Sequence, residues 1–479
     1  MNNRKNHHIL ANINKNSELN IEALIAAQLP GWQERLTRIL TDYGNQKIGE
    51  ITVASVYGGM RGLFALVTEI SHVDPSQGLL IRGYSVDELL EKLPRPEGSH
   101  FPMLGGLYHL LLVGRFPTKK EAQAVEDVWK SRQGLPGYVI DMLRAMPTST
   151  HPMTLFSQAI LSMQPESRAA RAYHEGISRS EYWRPMLEDA LTITANLPIL
   201  AATIYNLKYR DGAEAVPDPD LDWGANFAAM IGKGDDLEYM ELTRLFLSIH
   251  SDQENGNASA HTSHLVSSTL SDLYLSTSAG LNALAGPLHG LANYETLRWL
   301  QALQARYGDL PTSLELREFA LETLNHGMVI PGYGHGVLRR TDTRFTAQYC
   351  FAEAYLPDDP LFKLVKRVYQ VIPEVLSELG KVKNPYPNVD AISGTLQYHY
   401  GIEPEFCTVL FGTSRLLGLT AHAVWARALG QPIERPRSFT TDRIETMVMP
   451  PLNVSSTELT PLRPKYGNLS ECQASERTV

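Results

Sequence analysis

Leu361-Phe362-Lys363-Leu364-Val365-Lys366-Arg367-Val368-Tyr369-Gln370-Val371-Ile372-Pro373-Glu374-Val375-Leu376-Ser377-Glu378-Leu379-Gly380 decides the fold. Leu361, Leu364, Val365, Val368, Ile372, Val375, Leu376 and Leu379 recur at intervals of three and four, the spacing of one helical face, and Gly380 supplies a stop. Pro373 should bend the middle, because it removes a backbone donor. A second helix is predicted to open at Thr312, with Glu315 placed to close a capping box, to carry Leu316, Phe319, Ala320 and Leu324 on one stripe, and to end at Gly327. Alternation at period two is scarce, the best piece being Ile48 to Val53. This argues against a parallel-sheet enzyme and predicts an all-α chain. No internal repeat of fixed period is present, and the Pro/Gly-rich breaks near 285–290 and 384–402 are candidate hinges.

The 479 residues suffice for one large or two modest domains. With 43% hydrophobic and 20% charged residues, and no run of roughly 18 uninterrupted apolar positions, the composition predicts a soluble protein with no membrane partner. A net charge of -9 argues against a nucleic-acid partner. Cys350, Cys407 and Cys472 form no CxxC pair and no dense framework, so neither a zinc ribbon nor a disulfide scaffold is expected. The first twenty residues lack both a secretory core and an Arg/Ser-rich amphipathic leader, which favours a cytoplasmic location over the mitochondrial alternative. Residues after about Met449 read as a mobile tail, and the final Glu476-Arg477-Thr478-Val479 matches no peroxisomal address.

Three polar residues stand beside backbone-permissive or turn-forming neighbours: His289 in Gly286-Pro287-Leu288-His289-Gly290, His335 in Gly332-Tyr333-Gly334-His335-Gly336, and Asp390 after Pro387-Asn388-Val389. His289 is predicted to lie in the first turn of a helix, where the dipole disfavours an imidazolium and leaves a neutral donor for a developing enolate. The alternative is a buried helix-start histidine bonded to backbone. The glycines around His335 would let a ligand approach the chain, or simply make the loop flexible. Asp390 fits either a helix N-cap or a general base. Arg344, Arg415 and Arg435 could hold a dicarboxylate by bidentate pairing, or form surface ion pairs. His261 and His264 have metal-like spacing, yet no HExxH pattern or nearby cysteine accompanies them, so they are given structural roles and no metal is expected.

Together these segments resemble citrate synthase of the eukaryotic type, from about Asn20 to Met447. The likeness is carried by Tyr57-Gly58-Gly59-Met60-Arg61-Gly62, Ile81 to Ser85, Ile249-His250-Ser251-Asp252, Ser259 to His264, Gly286 to Asn293, Pro331 to His335, Asn384 to Asp390, and Glu434-Arg435-Pro436. The resemblance implies an all-α, two-domain homodimer, with a large domain over 21–290 and 402–448 and a small domain over 291–401, flanked by flexible ends at 1–20 and 449–479. It implies that Asp390 takes a proton from the carbon beside a thioester, that His289 steadies the enolate, and that His335 binds and protonates the oxaloacetate carbonyl. Gln253, Arg344, Arg415 and, across the dimer, Arg435 would contact oxaloacetate. Arg61 and a cross-subunit Arg179 would meet coenzyme A phosphates, while Val329, Gly332, Tyr333, Gly334 and Asn388 would line its groove. No permanently bound cofactor is implied, only an acyl-CoA co-substrate.

The chain departs from the family beside these segments. Gln253 stands where a histidine usually contacts oxaloacetate, Ile392 where histidine is common, Thr343 where proline or serine is common, and Tyr294 where glutamine is typical. Retained chemistry in an altered surround leads us to expect a synthase accepting an acyl group longer than acetyl, a 2-methylcitrate or alkylcitrate synthase of specialised metabolism. Ordinary citrate synthase and a non-catalytic dimeric relative are the alternatives.

Overall fold

The computed structural model describes residues 20–60, 62–380 and 382–449. Helices run from Ile21–Tyr43 to Thr441–Val448, and the one sheet among the described residues is a small antiparallel one of three strands, Ser71–Asp74, Gly78–Ile81 and Tyr84–Ser85. Its register pairs Ser71 with Ile81 and Asp74 with Gly78, and the Asp74 carboxylate closes the turn by accepting from the Ser76 and Gln77 amides. The fold is therefore all-α, as the periodicity predicts. Ile48 to Val53 does not form a strand. Thr52 instead caps the short helix Val53–Tyr57 through a reciprocal box with Ser55, a local bond that wins over weak alternation.

The deciding stretch is the helix Pro360–Leu379, whose buried face includes Leu364, Val365, Val368, Ile372, Val375 and Leu376. Asp359 caps its start, and Gly380, at φ 62°, ends it by donating to the carbonyls of Leu376 and Ser377. Pro373 lies inside the helix without terminating it, and Leu379 is 37% exposed rather than part of the stripe. Thr312 and Glu315 make the expected capping box on Ser313–Asn325, and Gly327 turns the chain at φ 76°.

The core is organised around two long helices in contact, Trp183–Tyr209 and Cys407–Ala428, the second buried along its whole length. Trp183–Tyr209 is long and apolar enough to cross a membrane, although polar residues interrupt its apolar run. Most of it is buried inside the protein, which is how the core helix of a globular domain passes the same test.

Two compact units emerge. The first holds most of the described chain through Glu434; the second joins residues 51–60 to residues 435–449. Within the second, the Tyr57 hydroxyl meets Thr441 Oγ1 at 2.9 Å. The expected flexible end at 1–20 (all but Asn20), the tail from Pro450 onward, Cys472 and Arg61 lie outside the described residues.

Candidate active site

The site is built by short polar connections that pack against buried helices. His289 sits in the turn joining Leu273–Leu284 to Ala292–Tyr307, two residues before the N-cap Leu291 rather than in the first helical turn. Its Nε2 accepts from the backbone N–H of Ser259 at 3.3 Å and lies 3.0 Å from the Ser259 hydroxyl, which donates to Asn257 Oδ1 at 2.8 Å. Ser259 is itself held by Asn257, the N-cap of Ala258–Ser268. With Nε2 accepting, a neutral ring carries its proton on Nδ1. Burial, helped by the charge of Arg415, pushes His289 down to about 4. The neutral imidazole expected from the sequence is present, but desolvation and a cation produce it, not a helix dipole.

His335 lies in an irregular loop. Two backbone donors, the N–H groups of Val337 and Leu338, both reach its Nδ1 at 3.0 Å, so the neutral ring carries hydrogen on Nε2. Burial, with Arg344 nearby, lowers it to about 4. The loop is stitched to the segment before Asp390: Gly334 N–H donates to Tyr386 O at 3.2 Å, Asn388 N–H to Gly332 O at 2.9 Å, and Asn388 Nδ2 to Gly334 O at 3.0 Å. Gly332, at φ 75°, lies so close that an added Cβ would stand 2.6 Å from Ala391 Cα. Only glycine permits that approach.

Asp390 is the first residue of Asp390–His399, and the N-cap is Val389. The capping alternative is thereby removed: Asp390 Oδ1 is buried and has no hydrogen-bond partner among the described residues. Burial raises its pKa to about 7, resisted by Arg344 and Arg415 and reinforced by Asp342. Arg344 is 2% exposed and forks onto Asp342, with Nε to Oδ1 at 3.0 Å and Nη2 to Oδ2 at 2.7 Å, leaving Nη1 unpartnered. Arg415 is fully buried, gives Nε to His250 O at 3.2 Å, and leaves both Nη1 and Nη2 unpartnered. Burial brings it down to about 10, although Asp252 opposes the shift. Neither arginine is a surface ion pair. Buried donors without partners are costly, and three on two guanidiniums mark a place where an anionic ligand would complete the bonding.

Mutual electrostatic influence joins His289 to Arg415, His335 to Arg344, and Asp390 to both arginines. The structure thus brings together His289, His335, Asp390, Arg344 and Arg415. Gln253 lies three residues after His250 in the irregular segment that follows the helix Leu237–Ile249; its carbonyl accepts from Asn257 at 2.8 Å and its side chain bonds no described residue. Arg435 opens the second segment of the second unit. Arg179 is exposed, lies beside Arg427, and makes no described contact with the three central residues. Val329 is 75% exposed, and Tyr333 pairs across an isolated bridge with Pro387. Ile392 is fully buried, Thr343 has a buried Oγ1 with no partner, and Tyr294 carries Arg298 over its ring at 5.7 Å.

His250 and Asp342 are members the sequence reading did not assign to the site. His250, driven to about 3 by burial and by Arg344 and Arg415, has a buried Nε2 without a partner. Its sequence signal is the Ile249-His250-Ser251-Asp252 segment. Behind it, Asp252 bonds His422 Nε2 at 2.8 Å, Thr68 meets His422 Nδ1 at 2.8 Å, and Glu254 faces His264 at 3.3 Å. Glu254, His264 and His422 bring ligand-type atoms within 4.8 Å of one another, but both nitrogens of His422 are already bonded. The group therefore acts as two carboxylate–imidazole pairs that counterbalance Arg415. His261 faces Glu434 at 3.4 Å, away from this pairing.

A family model described as citrate synthase, C-terminal domain, matches residues 59–437. The chain is 50% identical over 434 residues to a probable mitochondrial citrate synthase of Glossina morsitans morsitans, covering 90% of this chain and 93% of that one. It is 49% identical to the mitochondrial citrate synthase of Xiphias gladius over 90% and 92% of the two chains. Among solved structures it is similar to citrate synthase from Pyrobaculum aerophilum, with TM-score 0.68, 27% identity and coverage of 86% and 98%. It is likewise similar to that from Thermotoga maritima, with TM-score 0.66, 25% identity and coverage of 84% and 97%.

Proposed function

The chain belongs to the citrate synthase family, and from that premise we propose that it condenses acetyl-CoA with oxaloacetate and hydrolyses the product thioester. The observation that carries this reading is the set of unpartnered buried groups: three guanidinium N–H sites on Arg344 and Arg415 beside the unpartnered Oδ1 of Asp390. A dicarboxylate supplies acceptors for the first, and the second is left free as a base.

In this reading Asp390 removes a proton from the acetyl methyl group. A thioester α-proton is too weakly acidic for a carboxylate alone, so stabilisation of the enolate must supply much of the driving force. His289 donates from Nδ1 to the thioester oxygen as charge develops there. The nucleophilic carbon attacks the oxaloacetate ketone, whose oxygen takes the proton from His335 Nε2. A carbon–carbon bond forms, water then cleaves the thioester, and citrate and free coenzyme A leave. No step needs a permanent cofactor. Low dielectric in the buried site strengthens each of these hydrogen bonds.

Gln253 adds an uncharged donor toward oxaloacetate, and Arg435 of the partner subunit adds a third cation. Arg61 and, from across the dimer, Arg179 of the partner subunit meet coenzyme A phosphates, with Val329, Gly332, Tyr333, Gly334 and Asn388 forming the groove. Residues 291–401 would close as the small domain over 21–290 and 402–448. Homodimerisation is supported by large apolar side chains left in solvent in each unit, including Ile48, Phe64 and Val67 in the first and Ile51 and Tyr57 in the second.

The named relatives are ordinary citrate synthases, which moves the balance from the longer-acyl expectation to acetyl-CoA. Their mitochondrial designation likewise favours that compartment over the cytoplasm. The test is thiol release by purified protein with oxaloacetate and acetyl-, propionyl- or hexanoyl-CoA. Preference for acetyl-CoA is expected; preference for hexanoyl-CoA would restore the alkylcitrate reading. Thermal stabilisation by oxaloacetate without thiol release from any of the three would identify a non-catalytic relative.

A further inference from the structure

We infer that Asp342 is a positioning residue for the condensation, holding the guanidinium of Arg344 in one orientation and tying it to the segment that carries Asp390. The inference rests on the functional reading above. Asp342 is fully buried. Its two carboxylate oxygens accept separately from Arg344, Oδ1 from Nε at 3.0 Å and Oδ2 from Nη2 at 2.7 Å. Its backbone N–H donates to Pro387 O at 3.1 Å, three residues before Asp390. One residue therefore joins the anion-binding arginine to the base-bearing loop.

The simpler reading is that Asp342 only caps the helix Thr343–Tyr355, since its Oδ1 also accepts the Arg344 N–H at 3.0 Å. A cap uses one oxygen. Here the second oxygen is spent on a guanidinium 2% exposed, and the fork leaves Arg344 Nη1 as its remaining buried donor, unpartnered. A long side chain with several rotamers is thus reduced to one presentation before substrate arrives, which is the condition for productive grip of a carboxylate. Thr343 Oγ1 lies 2.8 Å from where a Cβ on Gly78 would stand, so the hairpin braces the same helix start from outside.

Asp342 also sets the field of the base. The charged groups acting on Asp390 are Arg344, Asp342 and Arg415; the arginines favour its ionised form and Asp342 opposes it. Asp342 favours protonation of His335 as well, against Arg344 and Arg339. Removing the negative charge while leaving the arginines would lower the proton affinity of Asp390. The acidic limb of the rate profile would then move to lower pH, and the base would become weaker.

The test compares Asp342→Asn and Asp342→Glu with wild type. Oxaloacetate affinity is measured by calorimetry, kcat/KM for acetyl-CoA is followed against pH, and folding is followed by thermal melts. Asp342→Asn is expected to weaken oxaloacetate binding at least ~30-fold, as loss of one member of a buried charge pair does, and to shift the acidic limb downward. Asp342→Glu keeps the charge and displaces the fork, so it should weaken binding roughly tenfold with the limb unmoved. A lower melting temperature with unchanged oxaloacetate affinity and an unmoved limb would reduce Asp342 to a helix cap and overturn the inference. Should Asp342→Asn not fold, Asp342→Glu decides, and unchanged affinity in it overturns the inference equally. Wild-type protein that binds oxaloacetate but releases no thiol would refute the functional reading, while the binding arm still judges Asp342.

Discussion

Asp390→Asn should make the protein more stable while abolishing its turnover. Burial moves this carboxyl from the usual 3.8 to about 7. Each tenfold change in proton affinity corresponds to ~1.4 kcal/mol, so holding the ionised form in the folded state costs ~4 kcal/mol at the upper limit. Residual solvent contact and relaxation around a half-buried residue bring this to roughly 2–4 kcal/mol. The sign follows from the direction of the shift. Between about pH 4 and pH 7 the folded state binds more protons at this position than the unfolded state does, so stability falls as pH rises and then levels. An asparagine of similar shape carries no such dependence. Its advantage over wild type should be small at pH 4 and complete at pH 8, which for a chain of this length is a gap in melting temperature of a few degrees, at about 1 °C per kcal/mol. Ligand-free melts of both proteins at the two pH values read it directly. Thiol release by the variant should fall to roughly a thousandth of wild type, since its base is gone. Equal melting differences at both pH values would refute the buried-charge argument, and retention of a tenth of the activity would refute the role of Asp390.

Ser259→Ala removes the hydroxyl that stands 3.0 Å from His289 Nε2 and bonds Asn257, and leaves the backbone N–H donor in place, so kcat should fall about five- to tenfold with little change in oxaloacetate KM. Arg415→Lys replaces two unpartnered donors on a planar fork by a compact ammonium; oxaloacetate KM is expected to rise roughly 30-fold or more in steady-state assays. Gly332→Ala forces a Cβ toward Ala391 at a positive φ, and should lower both kcat and melting temperature, with a cost of about 2 kcal/mol or more in chemical denaturation. Thr312→Ala opens a distant capping box and should cost ~1 kcal/mol of stability while leaving kinetics unchanged.

The parts legible in the sequence were those set by local chemistry. Periodicity in 361–380 and the Thr312–Glu315 box needed only neighbours within a turn or two. The glycine- and proline-flanked His289, His335 and Asp390 could be picked out because such residues mark places where the chain changes direction. Relations across space were not legible. The neutral state of His289 was anticipated for the wrong reason, because burial and Arg415 come from distant segments. The fork between Asp342 and Arg344 spans only two positions, yet it competes with ordinary capping and leaves no distinct pattern in the letters. The small three-stranded sheet leaves no period-two signal because its strands are four, four and two residues long, too short for alternation to register. Arg344 and Arg415 read as surface candidates in isolation, and only the surrounding fold shows them buried.

The pairing of Trp183–Tyr209 with Cys407–Ala428 has a consequence for how the molecule is made. Roughly two hundred residues of chain separate the two, so a growing polypeptide displays a membrane-length greasy rod well before its partner has left the ribosome. Until that partner arrives, the rod is a target for holdase chaperones and for self-association. A fragment truncated ahead of Cys407 should therefore accumulate in aggregates or chaperone complexes, whereas co-expression of the missing C-terminal portion should return it to solution.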